Sequence, residues 1–313
     1  MKNKQEKKFI PVMLTPFKEN GDLDLDGLSQ LTELYIQAGV KGLFANCQSS
    51  EMFQLSDEEK LTVVKHVIKI AGGRVPVVAV GNFGATIEKQ ADFMQTIYDT
   101  GVQAVIIVTG LMAGEHELPE VFEERVFTLF ELTGKIPIGF YECPEPYKRV
   151  LTAEQLQKFL AAGRIIYHKD TCLDLAQVKR KLEVSAAYPE FELYDAYAVN
   201  AVDSLKAGAA GLSCIQGNFF PELLVWLCDH VNDTTSSDNV YKVQRFLTGH
   251  MNVIHHVYPL VAKYFLQKCG LNISTFTRTA TGKFTAVVKG EVDCLFDQYH
   301  LLKEEIGLQE LTY

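Results

Sequence analysis

The sequence predicts an α/β protein, a (β/α)8 TIM barrel with an appended C-terminal helical subdomain, on three observations. Short apolar, β-branched runs alternate eight times with amphipathic stretches; such runs suit strands buried on both faces, and such stretches suit the helices that cover them. Successive run starts lie about 19 to 33 residues apart, the size of one strand plus its crossover helix. The turn after the first run reads TPFKENGD, whereas an open doubly wound sheet places a glycine-rich turn there.

The runs begin near Ile10 (IPVMLTPF), Gly42 (GLFANCQ), Val75 (VPVVAVG), Ala104 (AVIIVTG), Ile136 (IPIGFYE), Ile165 (IIYHKD), Phe191 (FELYDAY) and Ala210 (AGLSCIQG). Helical patterns fall between them, among them Leu25 to Ala38 and Asp57 to Ala71. Ser56 and Glu59 stand at the spacing of a capping box, in which each side chain satisfies the other's backbone N–H. Phe219 to Val231 is helical, the polar break NDTTSSDN follows, and helical patterns resume from about Asn239 through Leu302. Pro259 interrupts them, because its ring removes a donor and forces a kink or a stop. The predicted division is a barrel over 1–231 and a helical subdomain packed on it over 232–313.

The 313 residues are 47% hydrophobic and 22% charged, enough apolar surface for one large core and too much for a disordered chain. No run approaches the ~18 uninterrupted apolar residues of a membrane span. The start, MKNKQEKK, is basic, but Phe9 to Phe17 is too short and too proline-interrupted for a secretory h-region. A cytoplasmic protein is expected. The net charge of -9 disfavours nucleic acid, whose binding needs clustered cations. Seven cysteines without a C-x-x-C pair argue against both a disulfide framework and a zinc ribbon.

In a barrel of this kind the active site lies at the carboxyl ends of the strands. Lys169 ends the sixth run, and strand alternation places it on one face with Ile165 and Tyr167. An ordinary lysine, pKa ~10.4, is neutral in about one molecule in 2500 at pH 7, and only the neutral amine attacks a carbonyl. A lysine desolvated at a strand end becomes that nucleophile; the alternative is a side chain that snorkels out or pairs with Asp170. Tyr141 ends the fifth run, where its phenol can pass a proton between substrate and lysine, or serve as an ordinary core hydroxyl. Gln48-Ser49-Ser50-Glu51 forms a polar turn at a helix start, suited to a carboxylate or simply to a cap. Lys148 and Arg149 offer positive charge in an acidic protein. Arg149 is the stronger candidate because its planar fork grips a carboxylate with two bonds. Cys47, Cys143, Cys172 and Cys214 lie near strand ends and read as small apolar residues. His255 and His256 point about 100° apart on a helix and make no shared metal face.

Together these segments resemble the dihydrodipicolinate synthase and N-acetylneuraminate lyase superfamily. The resemblance rests on TPF at Thr15 with Gly21, CQSSEMFQLSDEE at Cys47, YECP at Tyr141, HKDT at His168 and YDA at Tyr194. It implies a class I aldolase or lyase in which Lys169 forms a Schiff base with a pyruvate-type 2-keto acid. It further implies that Tyr141 shuttles protons and that Ser49 and Ser50 contact the carboxylate. No metal or dissociable cofactor is implied, and the assembly implied is a homo-oligomer, a dimer or a homotetramer.

Four positions depart from the synthase pattern, one of them Ser50, which stands where the second-strand motif has a glycine, a residue freer to take positive φ. Gln48 replaces the hydroxyl residue that heads the second-strand motif, and Leu111 and Met112 follow the fourth strand where the synthase carries tyrosines. The expectation is therefore a Schiff-base lyase other than the synthase itself. Alternatives are a sugar-acid dehydratase of the same superfamily, and a barrel that binds a keto acid or sugar acid without turning it over. A metal-dependent barrel would need more ligands than Asp195 and Glu142 supply.

Overall fold

A computed structural model describes residues 6–309. Most of the basic start and the last four residues of the predicted 232–313 subdomain lie outside the described residues. Eight parallel strands form the sheet: β1 (Lys8–Phe9), β2 (Leu43–Ala45), β3 (Val77–Val80), β4 (Ala104–Val108), β5 (Ile138–Tyr141), β6 (Ile165–Asp170), β7 (Glu192–Asp195) and β8 (Gly211–Leu212). Each of β2 to β7 pairs with the next, and β8 pairs with both β7 and β1. A parallel bridge between Val12 and Phe44 joins the first segment to β2 and closes the barrel. The long first run predicted from Ile10 is thus a two-residue strand at Lys8 followed by that single bridge.

The covering helices are α1 (Leu25–Gln37), α2 (Asp57–Ala71), α3 (Ile87–Tyr98), α4 (Pro119–Leu132), α5 (Ala153–Leu160), α6 (Leu175–Ser185), α7 (Ala201–Ala207) and α8 (Pro221–His230). The capping box predicted for α2 is present, with Ser56 accepting from the Glu59 N–H and Glu59 accepting from the Ser56 N–H. The tail adds α9 (Ser237–Gly249), α10 (Met251–His255), α11 (Leu260–Lys268) and α12 (Ala286–Ile306). Pro259 stands as the cap of α11, so the chain stops and restarts there, as a residue without an N–H requires. Val243, Leu247, Phe265 and Tyr299 of these tail helices join one buried apolar cluster with Phe220, the residue that caps α8, and Leu224 within it. None of the helices among the described residues is long and apolar enough to cross a membrane.

The barrel's interior is a separate cluster that includes Val12, Phe44, Val78, Ile106, Tyr141, Tyr167 and Tyr194. Its aromatic floor packs closely, with Tyr167 stacked on Tyr194 at 4.8 Å and Phe44 edge-on to Tyr141 at 5.7 Å. One irregularity sets the phase of β6. Ile138 pairs with Ile165, but Gly139 pairs with Tyr167, so Ile166 is an extra residue in the ladder. Ile165 therefore packs in the outer cluster and Tyr167 in the inner one. The expectation that Ile165 shares a face with Lys169 fails for this reason. Alternation restarts at Tyr167 and brings Lys169 inward. Gly139 makes room for the change, since a Cβ there would meet Ile106 Cδ1 at 2.4 Å and Tyr167 Cβ at 2.8 Å.

Candidate active site

A cavity of ≈ 320 Å³ opens above the aromatic floor at the carboxyl ends of the strands, where this fold keeps its chemistry. Lys169 and Tyr141 both line it, from neighbouring strands in register with each other. The Lys169 ammonium lies 4.0 Å from the centre of the Tyr141 ring. The lysine is only 4% exposed, and no carboxylate among the described residues lies within ion-pair distance of it. Burial pulls its pKa below the ordinary lysine value, so the neutral amine is enriched at neutral pH. Burial also pushes the Tyr141 phenol well up, which keeps it protonated and able to donate.

The β2 turn supplies the second wall. Gln48 and Ser49 reach the cavity, and Gln48 Oε1 accepts a long hydrogen bond from the Tyr141 hydroxyl at 3.4 Å. Ser50 does not reach it. Its hydroxyl donates to the Met13 carbonyl at 2.7 Å and accepts from the Cys47 N–H at 3.0 Å, which fastens the turn to the chain after β1. Two consecutive serines cannot both face one cavity here, and Ser49 is the one that does.

Arg149 also stands apart from the expectation. Its Nε donates to the Tyr147 hydroxyl at 2.8 Å and its fork to the Gly114 carbonyl at 2.7 Å, while the guanidinium lies 5.1 Å from the centre of the Phe122 ring. The cation at the cavity is Lys148, whose ammonium donates to the Thr171 carbonyl at 2.9 Å. Leu111 and Met112 bring no hydroxyl, and neither lines the cavity. Cys214 does line it, while Cys47 and Cys143 are buried beside it. Burial pushes the Cys143 thiol up to about 11, so it adds no negative charge near Lys169.

Residues that the motifs do not reveal close the mouth. Tyr258, Pro259, Met251, His255 and Thr279 come from the tail. Tyr258 donates to Ser49 Oγ at 2.8 Å across 209 positions of sequence. Glu51, in a left-handed conformation (φ 58°) at the end of the β2 turn, holds this wall in place. It accepts from the buried Lys263 ammonium at 2.9 Å and from the Arg278 and Thr279 N–H groups at 2.6 and 2.7 Å.

On the outer face of β5 and β6, Glu142, His168 and Asp170 converge with ligand atoms all within 4.8 Å of one another. These include two ligands, His168 and Asp170, that the sequence argument against a metal barrel did not count. The Lys181 ammonium of α6 lies 2.7 Å from both carboxylates and occupies the oxygens that face inward. This cluster points away from the cavity.

A buried lysine beside a phenol at the strand ends is an arrangement that suits a class I aldolase or lyase, an enzyme that works through a lysine Schiff base. The chain belongs to the dihydrodipicolinate synthetase family, which it matches over residues 5–298. It is a class I aldolase or lyase acting on a 2-keto acid of the pyruvate type. It is 29% identical to the 4-hydroxy-tetrahydrodipicolinate synthase of Ruegeria pomeroyi, over 84% of this chain and 88% of that protein. It is 26% identical to the putative 2-dehydro-3-deoxy-D-gluconate aldolase YagE of Escherichia coli K12, over 93% of this chain and 96% of that one. The crystal structure of YagE with pyruvate superposes with a TM-score of 0.83, at 22% identity, over 94% of this chain and 99% of that chain. CdNal of Clostridium difficile, in complex with mannosamine, gives 0.81 at 16% identity, over 94% and 99%. At these identities the superpositions establish the fold.

Proposed function

We propose that Lys169 is the Schiff-base residue, Tyr141 its proton shuttle and Ser49 a carboxylate contact, in a lyase that cleaves or builds a C–C bond next to a bound pyruvate unit. The observation that carries this reading is that, among the described residues, Lys169 is the one buried lysine without a carboxylate partner that ends in the cavity, 4.0 Å from a phenol ring. The neutral amine attacks the ketone carbon, the carbonyl oxygen takes one proton from Tyr141 and a second from the attacking nitrogen and leaves as water, and a protonated imine remains beside the Tyr141 phenolate. That imine accepts the electron pair of the C–C bond one carbon further out as it breaks, while the hydroxyl on the departing carbon returns a proton to the Tyr141 phenolate and that fragment leaves as a carbonyl compound. The resulting enamine is then protonated, and water releases the keto acid.

Gln48 is an amide and cannot relay a proton as a hydroxyl does. In the absence of tyrosines after β4, Tyr141 works without the synthase's relay, so the reading is a lyase other than the synthase. A purely binding barrel has no chemical need to desolvate a lysine and set a phenol against it. A homo-oligomer, dimer or tetramer, belongs to the same proposal on family membership, although one structural neighbour is a monomeric synthase variant. Light scattering at micromolar concentration tests it. Cys47, Cys143, Cys172, Cys214, Cys228 and Cys294, none of them in a disulfide, support action in a reducing, cytoplasmic compartment. Borohydride reduction in the presence of pyruvate, read by mass spectrometry, should add one reduced pyruvyl group on Lys169. An adduct elsewhere, or none with any 2-keto acid, removes the reading.

A further inference from the structure

We propose that Tyr258 is a positioning residue that fixes the direction of the Ser49 hydroxyl, so that this hydroxyl donates into the cavity to a carboxylate. The inference rests on the Schiff-base reading above and adds to it a residue that lies outside the motifs. It starts from Asn218, which is fully buried. Its Nδ2 donates to the Val12 carbonyl at 2.9 Å and to the Tyr258 oxygen at 2.6 Å. A backbone carbonyl only accepts, so the Val12 contact settles which end of the amide is the NH2 group. The Asn218 Oδ1 then accepts from the Tyr35 hydroxyl, as the structure has it.

Tyr258 therefore faces a donor and cannot send its own hydrogen back. Its one hydrogen goes to Ser49 Oγ, 2.8 Å away. Burial pushes the phenol's pKa up, so that hydrogen is held at any ordinary pH. Ser49, having accepted, has one hydrogen of its own and no other side-chain partner among the described residues; it lines the cavity with Lys169. The chain Tyr35, Asn218, Tyr258, Ser49 thus runs one way, from the core to the cavity, and ends on a donor. A ligand seated there has to present an acceptor oxygen. A Ser49 that was free to rotate would spend part of the time with its hydrogen turned back toward Tyr258, and the chain removes that state before binding, which is preorganisation.

The test compares pyruvate with its neutral methyl ester, each trapped on Lys169 by borohydride in the folded, full-length protein. Tyr258→Phe should raise the pyruvate concentration for half-maximal trapping by about two- to tenfold, the weight of one side-chain rotamer left unordered, and shift the ester less than about twofold. Asn218→Asp keeps the side chain's shape but replaces the donor with an acceptor. It should turn the Tyr258 hydrogen round and produce the same carboxylate-selective loss. In a Ser49→Ala background Tyr258→Phe should add nothing. Equal losses for pyruvate and ester, or losses that add to Ser49→Ala, would make Tyr258 a packing residue and overturn the proposal. Unchanged pyruvate trapping in both variants would overturn it too, leaving the Schiff-base reading intact. A parent protein that traps no keto acid overturns both.

Discussion

Lys169 and Lys181 are both almost completely buried, at 4% and 1% exposure, within one strand and the helix that follows it, yet their chemistry is opposite. Lys181 loses stability of its charge through burial, but Glu142 and Asp170 at 2.7 Å more than restore it, and its pKa is raised. Lys169 has the burial without the carboxylates, and its pKa falls. Lys263 lies between the two: buried beside the single carboxylate of Glu51, its pKa is also lowered, with burial outweighing the pair. Desolvation alone favours a neutral amine, and the count of facing carboxylates decides whether that amine survives as a nucleophile. Strand parity does the sorting here, because successive residues of β6 send His168 and Asp170 to the ion network and Lys169 to the cavity.

The sharpest way to break this comparison is Lys169→Ala. It should abolish turnover and the borohydride adduct while leaving the circular dichroism spectrum unchanged; residual adduct formation would mean that another amine does the work. Tyr141→Phe should lower turnover by about two or more orders of magnitude, the usual weight of a placed proton donor, with substrate trapping slowed alongside; a parent-like rate would make the phenol structural. Lys181→Met should leave the two buried carboxylates with His168 as their one remaining cationic partner among the described residues and cost about 3–5 kcal/mol in denaturant unfolding. Below its melting point it should still form the Lys169 adduct. If that variant lost the adduct but not stability, the division of labour between the two lysines would be wrong.

A smaller effect is expected with pH. Burial opposes the charged form of His168, but Asp170 and Glu142 outweigh it and its pKa is raised. A raised folded pKa means that its contribution to stability is complete below the unfolded value of ~6.5 and fades as pH climbs through the folded one. Asp195, pushed up to about 7 mainly by burial, also makes stability fall with rising pH, but over a lower range, between about 4 and 7. Melting curves of His168→Gln against the parent should therefore diverge most below pH 6.5 and converge as pH climbs through the raised folded pKa; a constant gap would mean that His168 does not titrate over that range. The smallest effect belongs to Arg149→Ala. Because the guanidinium is spent on Tyr147 and Gly114, KM should change less than about twofold, whereas Lys148→Ala should raise KM for an acidic acceptor severalfold.

The barrel was legible because its signal is local and repeated. Each strand and helix announces itself through periodicity, and each capped helix through its own few residues. Lys169 and Tyr141 were legible for a related reason: a polar residue at the end of an apolar run has few places to go in this fold. The details that failed depend on geometry finer than a motif. The extra residue Ile166 leaves no trace in the hydrophobic pattern of IIYHKD. Nothing in Ser49-Ser50 or Lys148-Arg149 tells which member of each pair turns inward. Tyr258 was out of reach altogether, since the contact with Ser49 depends on how the tail docks across the mouth, and no short-range pattern encodes that. Lys181 belongs to the same class, because a lysine on an amphipathic helix reads as solvent-facing until the helix is laid against β5 and β6.

The crossing of the tail over the barrel has a bearing on how the protein is born. Synthesis delivers Lys169 well before Tyr258, Lys263 and Arg278, so a nascent chain carries the reactive amine through a period in which the far wall of its pocket has not yet left the ribosome. During that interval the amine is open to water on the unfinished side, and water restores its charge and quiets it toward stray aldehydes and ketones. On the role proposed for Lys169, the nucleophile is armed only once the tail residues Met251, His255, Tyr258 and Thr279 stand against the cavity and shut the solvent out. On that role a fragment that stops before Met251 would carry the lysine without its chemistry.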